Sequence, residues 1–321
     1  MKGFVIEKFG LENLKLMDVE ESGEGIKVKI IMAAINPLDY NLVNGKVVYG
    51  VSPMPHIAGS EVIGEIMEDG LSVKKGQRAM IYNRIFDSSC RMCVSGNEHL
   101  CIHGGLWGVG TNGGFQEYVR VPEKNLIKIP DHVTDIQAVS IPIAALTAYH
   151  ALKRSNAHAG EKILFYGAAG NTGMLGMQIA NIMGLDVYGV SNNEIAKGYG
   201  AVKIFRRDEI PEDFTADIVI NPMGAAVFQD SMNHLSKGGR LVTFGILTGR
   251  NSEIDIANIY TSEKSIIGST GGTRQDLEEL LEIMRNHQIR VPVDSTFRFE
   301  ELVSALKRHA EKHSGRIIVK Y

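Results

Sequence analysis

Cys90, Cys93 and Cys101 are the only cysteines of the chain, and all three fall within twelve residues, with Asp87 three residues ahead of the first. The spacing Asp-x2-Cys-x2-Cys-x7-Cys offers four donors at tight intervals. Thiolate and carboxylate are both accepted by Zn²⁺ in a closed tetrahedral site. Such an ion can hold a loop that has no hydrophobic core of its own. The competing reading is a metal-free loop of reduced thiols. His99 and His103 lie close by and could replace Asp87, although alternate residues beside Cys101 are awkward to aim at one ion. One zinc enclosed in this way would do no chemistry.

A second chemical signal lies at residues 167–173. Gly167-Ala168-Ala169-Gly170-Asn171-Thr172-Gly173 follows the apolar run 162–166 and precedes Leu175, Ile179, Ile182 and Met183 at helical spacing. The pattern is GxxGxxG rather than GxGxxG, and glycines alone say little. The strand–turn–helix setting is what a dinucleotide reading requires. A pyrophosphate there would meet free N–H groups and the positive end of a helix dipole. The bland alternative is a tight turn without a ligand. The expected cofactor contacts are Gly167, Ala169, Gly170, Asn171, Thr172 and Gly173. The following strand, 187–190, ends in Ser191, Asn192 and Asn193. It carries no Asp or Glu to bond the adenine-ribose hydroxyls, and its neutral groups would not repel a 2′-phosphate. Arg206 and Arg207 follow the third strand near the same edge, with Lys197 close in sequence, and a guanidinium there could pair with that phosphate. Either arginine also fits a solvated surface. These features favour NADP(H) over NAD(H).

The elements that must position these groups follow from the rest of the chain. With 321 residues, 44% hydrophobic and 22% charged, the protein can bury an ordinary core, and two domains are expected. A net charge of −3 argues against a general nucleic-acid binder. The start, Met1-Lys2-Gly3-Phe4-Val5, lacks a signal-peptide pattern, and no apolar run approaches the ~18 residues that span a bilayer. Clustered thiols fit a reducing compartment. The expectation is a cytoplasmic protein acting on a small molecule, with no nucleic-acid or membrane partner. The first half reads as a glycine-turned β domain, with short strands at 27–32, 62–66 and 78–82. The pattern changes near Pro142. A helix runs from Ala144 towards Leu152. Strands at 162–166, 187–190, 201–205, 217–220, 240–244 and 265–267 then alternate with helical stretches, which predicts a parallel doubly wound sheet. Two helical runs, on Leu277, Leu280, Leu281 and Met284 and on Leu302, Val303 and Leu306, precede a last strand at 316–319.

Several segments in order carry a resemblance over essentially the whole length: Asn36-Pro37-Leu38-Asp39, Pro55 to Glu61, the cysteine loop, Leu146-Thr147-Ala148-Tyr149, the glycine turn, Gly238 to Val242 and Gly315 to Val319. The chain resembles the medium-chain dehydrogenase/reductase superfamily. The resemblance implies an α/β protein with a GroES-like β-rich catalytic domain, residues 1–142 and 272–321, split around a Rossmann domain, residues 143–271, with the active-site cleft between them. It implies pairing of Rossmann edge strands, near 265–269, into a homodimer or homotetramer. Zinc alcohol dehydrogenases of this superfamily hold a structural zinc on four cysteines. Cys90, Cys93 and Cys101 match the last three, and Asp87 stands at the first.

The superfamily's catalytic zinc ligands would fall at Asn36, Ser60 and near Ile143. Amide and hydroxyl are poor zinc ligands and an isoleucine is none, so no catalytic zinc is expected. His56 is three residues away from the expected position and fits a packed histidine. The Asn-Pro-x-Asp motif resembles the zinc-independent branch, the quinone oxidoreductases and enoyl reductases. There NADPH delivers hydride to a quinone or to the β-carbon of an activated double bond. The resemblance places Asn36 beside the nicotinamide, able to bond the cofactor ribose or a substrate carbonyl, with Asp39 orienting its loop. Tyr49 corresponds to an acid tyrosine of related enoyl reductases, though the run from Gly45 is two residues longer, and an aromatic pocket wall is the competing reading. Tyr40 is a second candidate of the same kind. Glu61 keeps the superfamily's acidic position. Thr147, Gly245 and Ile246 are expected to pack the nicotinamide. A zinc-free alcohol or aldehyde dehydrogenase and a dinucleotide-binding protein with little turnover remain the alternatives.

Overall fold

The computed structural model describes all 321 residues, in two compact units. The first comprises Met1–Ile143, Thr273–Arg285 and Val291–Tyr321, and the second Ala144–Gly272 with Asn286–Arg290.

The first unit is built on a seven-stranded sheet. Strands Val293–Arg298, Arg316–Lys320, Ile26–Ala34, Val62–Ile66, Arg78–Ile81 and Leu126–Lys128 pair in that order, and Tyr118–Val121 pairs with the far end of Ile26–Ala34. Val28 and Ile30 of that central strand pack with Ile66, Phe115, Val119, Ile317 and Val319 in one buried cluster. The apolar faces therefore explain why the first and last parts of the chain belong to one core. The C-terminal strand lies antiparallel to Ile26–Ala34, with Ile318 opposite Ala34, and Ile35 N–H donates to Ile317 O at 3.0 Å. This register brings Arg316 beside Asn36, the residue that leaves the central strand. Strand Val293–Arg298, which has no clear alternation, completes the sheet edge and was not legible in the sequence.

Asn36 caps the helix Pro37–Val43, with proline at its first position, where a missing N–H costs nothing. Asn36 N–H donates to Asp39 Oδ2 at 2.9 Å, the reciprocal half of a capping box. Gly59 has φ +108, and a Cβ there would lie 2.6 Å from Phe115 N. Only glycine lets the chain turn this tightly before Ser60 and Glu61. At the cysteine lobe the short strands Arg84–Ile85 and Gly105–Leu106 pair antiparallel and close its base.

The second unit is a six-stranded parallel sheet in the order Lys203–Phe205, Asp186–Val190, Lys162–Tyr166, Ala216–Asn221, Leu235–Thr243 and Ser265–Gly268. Counted in chain order this is 3-2-1-4-5-6, the doubly wound arrangement that binds ligands beyond the carboxyl ends of its strands. The third strand begins at Lys203 rather than Ala201. Helix Asn171–Ile182 ends with Gly184 at φ +83, a left-handed stop. Residues Ile141–Ala145 form a π-helical turn ahead of helix Leu146–Arg154, so the helix read from Ala144 becomes α-helical only at Leu146. No helix is long and apolar enough to cross a membrane.

Candidate functional site

Five buried polar residues of the first unit form one bonded cluster: Asn36, Asp39, Ser60, Glu61 and Arg316. Arg316 and Glu61 are 1% and 0% exposed. The Arg316 Nη2 donates to Glu61 Oε2, and Nη1 donates to Asn36 Oδ1 at 3.1 Å. Asn36 Nδ2 donates to the same Glu61 Oε2 at 2.8 Å and to Ala34 O at 3.2 Å. The π-helical turn has a use here, because Ile143 N–H donates to Glu61 Oε1 at 2.6 Å. Asp39 accepts from two backbone N–H groups, Asn36 at 2.9 Å and Ser60 at 2.9 Å. It therefore ties the capping loop to the turn after Gly59. Burial pushes the Asp39 carboxyl up to about 6, against the lowering effect of those two N–H bonds.

This geometry fixes what Asn36 can do. Arg316 can only donate and ionised Glu61 can only accept, so the amide has one orientation. Both Nδ2 hydrogens are committed to protein acceptors. The Oδ1 keeps a second lone pair. Asn36 can thus accept from a hydroxyl but cannot donate to a carbonyl without breaking a bond it already makes. Arg316 is the residue that sequence reading passed over. Its signal was an arginine opening an apolar terminal strand, Arg316-Ile317-Ile318-Val319, where a side chain buried on one face is expected.

The same cluster does not suit a divalent metal. Positions 36, 60 and 143 supply an amide already in use, a hydroxyl and an isoleucine. The carboxylate between them is bonded to a guanidinium, which would repel a second cation.

The cysteine lobe does suit one. The Asp87 carboxylate and the three Sγ atoms lie within 4.8 Å of one another. Cys90 Sγ is 3.6 Å from Cys93 Sγ and 3.8 Å from Cys101 Sγ, close to the ~3.8 Å edge of a tetrahedron with Zn–S of ~2.3 Å. The three cysteines are free thiols. Asp87 Oδ1 accepts from Ser89 N at 2.8 Å and Cys90 N at 2.9 Å, which holds the carboxylate well below its usual range. His103 Nδ1 meets Asp87 Oδ2 at 2.6 Å, so this histidine braces Asp87 instead of replacing it. His99 is not part of the ligand group.

In the second unit Gly167 has φ +67 at the end of the first strand. A Cβ on Gly173 would lie 2.4 Å from Gly167 O, so the helix can start this close to the turn only with glycine. The first N–H groups of helix Asn171–Ile182 have no intrahelical acceptors, and the turn of Gly167, Ala169, Gly170, Asn171 and Thr172 surrounds them. This is a cradle that fits a pyrophosphate. Gly245 approaches Pro222 O so closely that any Cβ would overlap it, and exposed Ile246 follows. Both stand beyond the carboxyl end of the fifth strand. Thr147 is half-buried in helix Leu146–Arg154. Ser191 N–H donates to Phe205 O, and Ser191 Oγ accepts from Asn193 N at 2.9 Å. Arg207 is tied to Asp230 at 3.1 Å and to Ala226 O at 2.8 Å. Arg206 is exposed and its Nε lies 3.5 Å from Glu209 and 3.8 Å from Asp208, and Lys197 pairs with Glu194. Each cation of the edge inferred from spacing thus has an acidic neighbour, and only the pairs of Arg206 and Lys197 are confined to their own exposed turns.

Tyr49 lies on a turn, 46% exposed, outside the Asn36 cluster. Tyr40 is half-buried against His309, with ring centroids 5.8 Å apart. His56 is fully buried, its Nε2 3.2 Å from Gly108 O, and burial pushes its pKa down, so it is a neutral packed ring.

Breaking the central pair should be costly. Arg316→Met leaves Glu61 buried without its counter-charge and should destabilise the protein by about 3–5 kcal/mol. Adding Glu61→Gln should recover part of that loss, measured by denaturant unfolding of the two single variants and the double variant. Strict additivity would contradict the coupling. For Asp39 the folded-state value of about 6 lies above the usual carboxylate value of 3.8, so folding penalises the ionised form. That penalty is full above pH 6 and gone below about pH 4. Wild type should therefore gain stability relative to Asp39→Asn as pH falls from 6 to 4. A constant difference across that window would contradict the burial argument.

Comparison with known proteins agrees with this architecture. Residues 22–131 match the alcohol dehydrogenase GroES-like domain, and residues 172–286 match the zinc-binding dehydrogenase family. An alcohol dehydrogenase of Geobacillus stearothermophilus is 31% identical over 100% of this chain and 99% of its own. An acryloyl-coenzyme A reductase of Metallosphaera sedula is 29% identical over 99% of each chain. A cobalt- and zinc-bound thermostable alcohol dehydrogenase from Pyrobaculum aerophilum superposes with a TM-score of 0.92 at 33% identity, covering 100% of this chain and 99% of that one. The split β domain, the 3-2-1-4-5-6 sheet and these full-length likenesses make the chain a member of the medium-chain dehydrogenase/reductase superfamily, an NAD(P)H-dependent oxidoreductase.

Proposed function

We propose that this protein is an NADPH-dependent reductase of a quinone or an α,β-unsaturated carbonyl compound, working without a catalytic metal and carrying one structural zinc. The observation that carries the reading is the Arg316–Glu61–Asn36 lock. It fills the place where a metal-dependent relative would need free ligands with a guanidinium and its carboxylate. Without a Lewis acid, activation of an alcohol hydroxyl has no evident agent. Reduction of an already electrophilic carbon needs only a placed hydride and a proton route.

Bound NADPH would supply the hydride that an electron-poor carbon or a quinone accepts. The glycine turn at 167–173 holds the pyrophosphate on the free N–H groups of its helix. Gly245, Ile246 and Thr147 pack the nicotinamide. Asn36 accepts through Oδ1 from a hydroxyl of the cofactor ribose, with Arg316, Glu61 and Asp39 as positioning residues. Tyr49, whose ring stands on an exposed turn, donates the proton that completes reduction of a double bond. NADPH is preferred because Ser191, Asn192 and Asn193 offer no carboxylate to the 2′-phosphate and Arg206 offers a cation. The zinc sits on Asp87, Cys90, Cys93 and Cys101 and stiffens the lobe. The sheet edge Ser265–Gly268 has no partner strand beyond it, and exposed Ile256 and Tyr260 stand on the preceding helix. Both features support a homodimer, or a homotetramer built from it, across that edge.

The relatives' names include alcohol dehydrogenases, so a zinc-free alcohol or aldehyde dehydrogenase is the second reading. A panel separates the two. NADPH oxidation is followed with 1,4-benzoquinone, an enal, a 2-enoyl thioester and a simple ketone. The expected result is turnover on a quinone or a conjugated double bond, with the ketone inert and NADH binding more weakly than NADPH in a fluorescence titration. Tyr49→Phe should lower kcat on the conjugated substrate by about 100-fold with KM retained. Turnover of the ketone alone would favour the second reading, and tighter NADH binding would refute the cofactor assignment.

A further inference from the structure

A cavity of about 440 Å³ opens in the first unit, lined by Arg84, Ile85, Phe86, Trp107, Gln116, Val119 and others at the base of the cysteine lobe. None of its lining residues belongs to the Asn36 cluster or to the metal ligand group. Its volume is within the range of small-molecule sites, and its walls of Ile85, Phe86, Trp107 and Val119 are apolar.

Arg84 is what makes this cavity more than a crevice. Its side chain is 9% exposed, makes no hydrogen bond and has no acidic partner, and Nε is a buried donor left unmatched. Burial disfavours its charge, yet a guanidinium stays protonated at neutral pH. The other two cations of the lining are already engaged. Arg120 pairs with Glu21 and Glu68, and Lys124 donates to Phe86 O and Ser88 Oγ. The one acid of the lining, Glu24, is exposed. A buried charge without a partner is costly, and a ligand of opposite charge would remove that cost. Gln116 adds a second unmatched group. Its Nε2 donates to Gly113 O at 2.7 Å, while its buried Oε1 has no donor.

We propose that this cavity binds a small organic monocarboxylate, its carboxylate held by the Arg84 guanidinium and its apolar body against Trp107 and Phe86. One guanidinium balances one negative charge, and its planar fork matches a carboxylate in two parallel hydrogen bonds. A phosphate dianion would bring a second charge for which no free cation is present. The unmatched Gln116 Oε1 favours a ligand with a hydroxyl or amine as well. The cavity shares no lining residue with the Asn36 cluster or the glycine turn, and its test reads ligand binding rather than reductase turnover.

Trp107 is the only tryptophan of the chain and lines this cavity, so its emission reports occupancy directly. The full-length protein is titrated with benzoate, and separately with inorganic phosphate, by calorimetry and by Trp107 fluorescence excited at the red edge. The expected result is one benzoate per chain, a saturable change in Trp107 emission, a rise in Tm, and at least tenfold weaker binding of phosphate. Arg84→Met removes the charge but keeps the length, so it should fold with an equal or higher Tm and bind benzoate at least tenfold more weakly. Arg84→Lys keeps the charge without the fork and should fall between the two. Unchanged benzoate affinity in Arg84→Met, equal binding of phosphate, or no response of Trp107 would each overturn the proposal.

Discussion

The buried ion pair between Arg316 and Glu61 is the constraint on which the candidate active site depends. Its partners stand 255 residues apart in sequence, one on the C-terminal strand and one on the turn after Gly59. Charges buried this deeply are tolerated only when paired and hydrogen-bonded on their remaining valences. Glu61 meets that condition through Asn36 Nδ2 and Ile143 N–H, and Asn36 in turn receives Arg316. The pair thus orients the amide, engages the π-helical turn and locks the final strand to the centre of the sheet. The same contacts oppose a metal ion there, because the position of positive charge is already taken.

The two halves of the molecule solve different problems. The β domain carries its chemistry on loops and turns, and each needs a local device. A capping box holds Asn36, a left-handed glycine holds Ser60, and four converging donors suit a metal staple for a lobe with little apolar content of its own. The parallel sheet needs fewer devices. Its inner strands are largely buried apolar runs, and its ligand edge arises from topology, where Gly167 and Gly245 let backbones approach closely. A metal in the lobe and a dinucleotide at the sheet edge would therefore stabilise separate parts of the protein.

Much of this was legible in the sequence because the signals are local. Cys90, Cys93 and Cys101 announce a ligand set by spacing alone, and the glycine turn is bracketed by a strand and a helix. The parallel strands read directly as short apolar runs. What escaped was non-local. Arg316 lies at the far end of the chain from its partners, and nothing in the segment around it names Glu61. The π-helical turn at Ile141–Ala145 has the composition of an ordinary helix and is imposed by its surroundings. Strand Val293–Arg298 buries none of its residues fully, so it carries no alternating apolar signal. Arg207 looked available for a phosphate, but its partner Asp230 lies on a different segment, 23 residues on. The unpaired state of Arg84 is likewise invisible without its neighbours.

The central claim is that the metal of this protein is a staple and the active site is organised by a guanidinium. Elemental analysis of the purified, catalytically active chain tests it most directly. The account predicts one zinc per chain, lost with thermal stability but not with NADPH affinity when Asp87 is replaced by alanine. Two zincs per chain, the second persisting in Asp87→Ala, would contradict it.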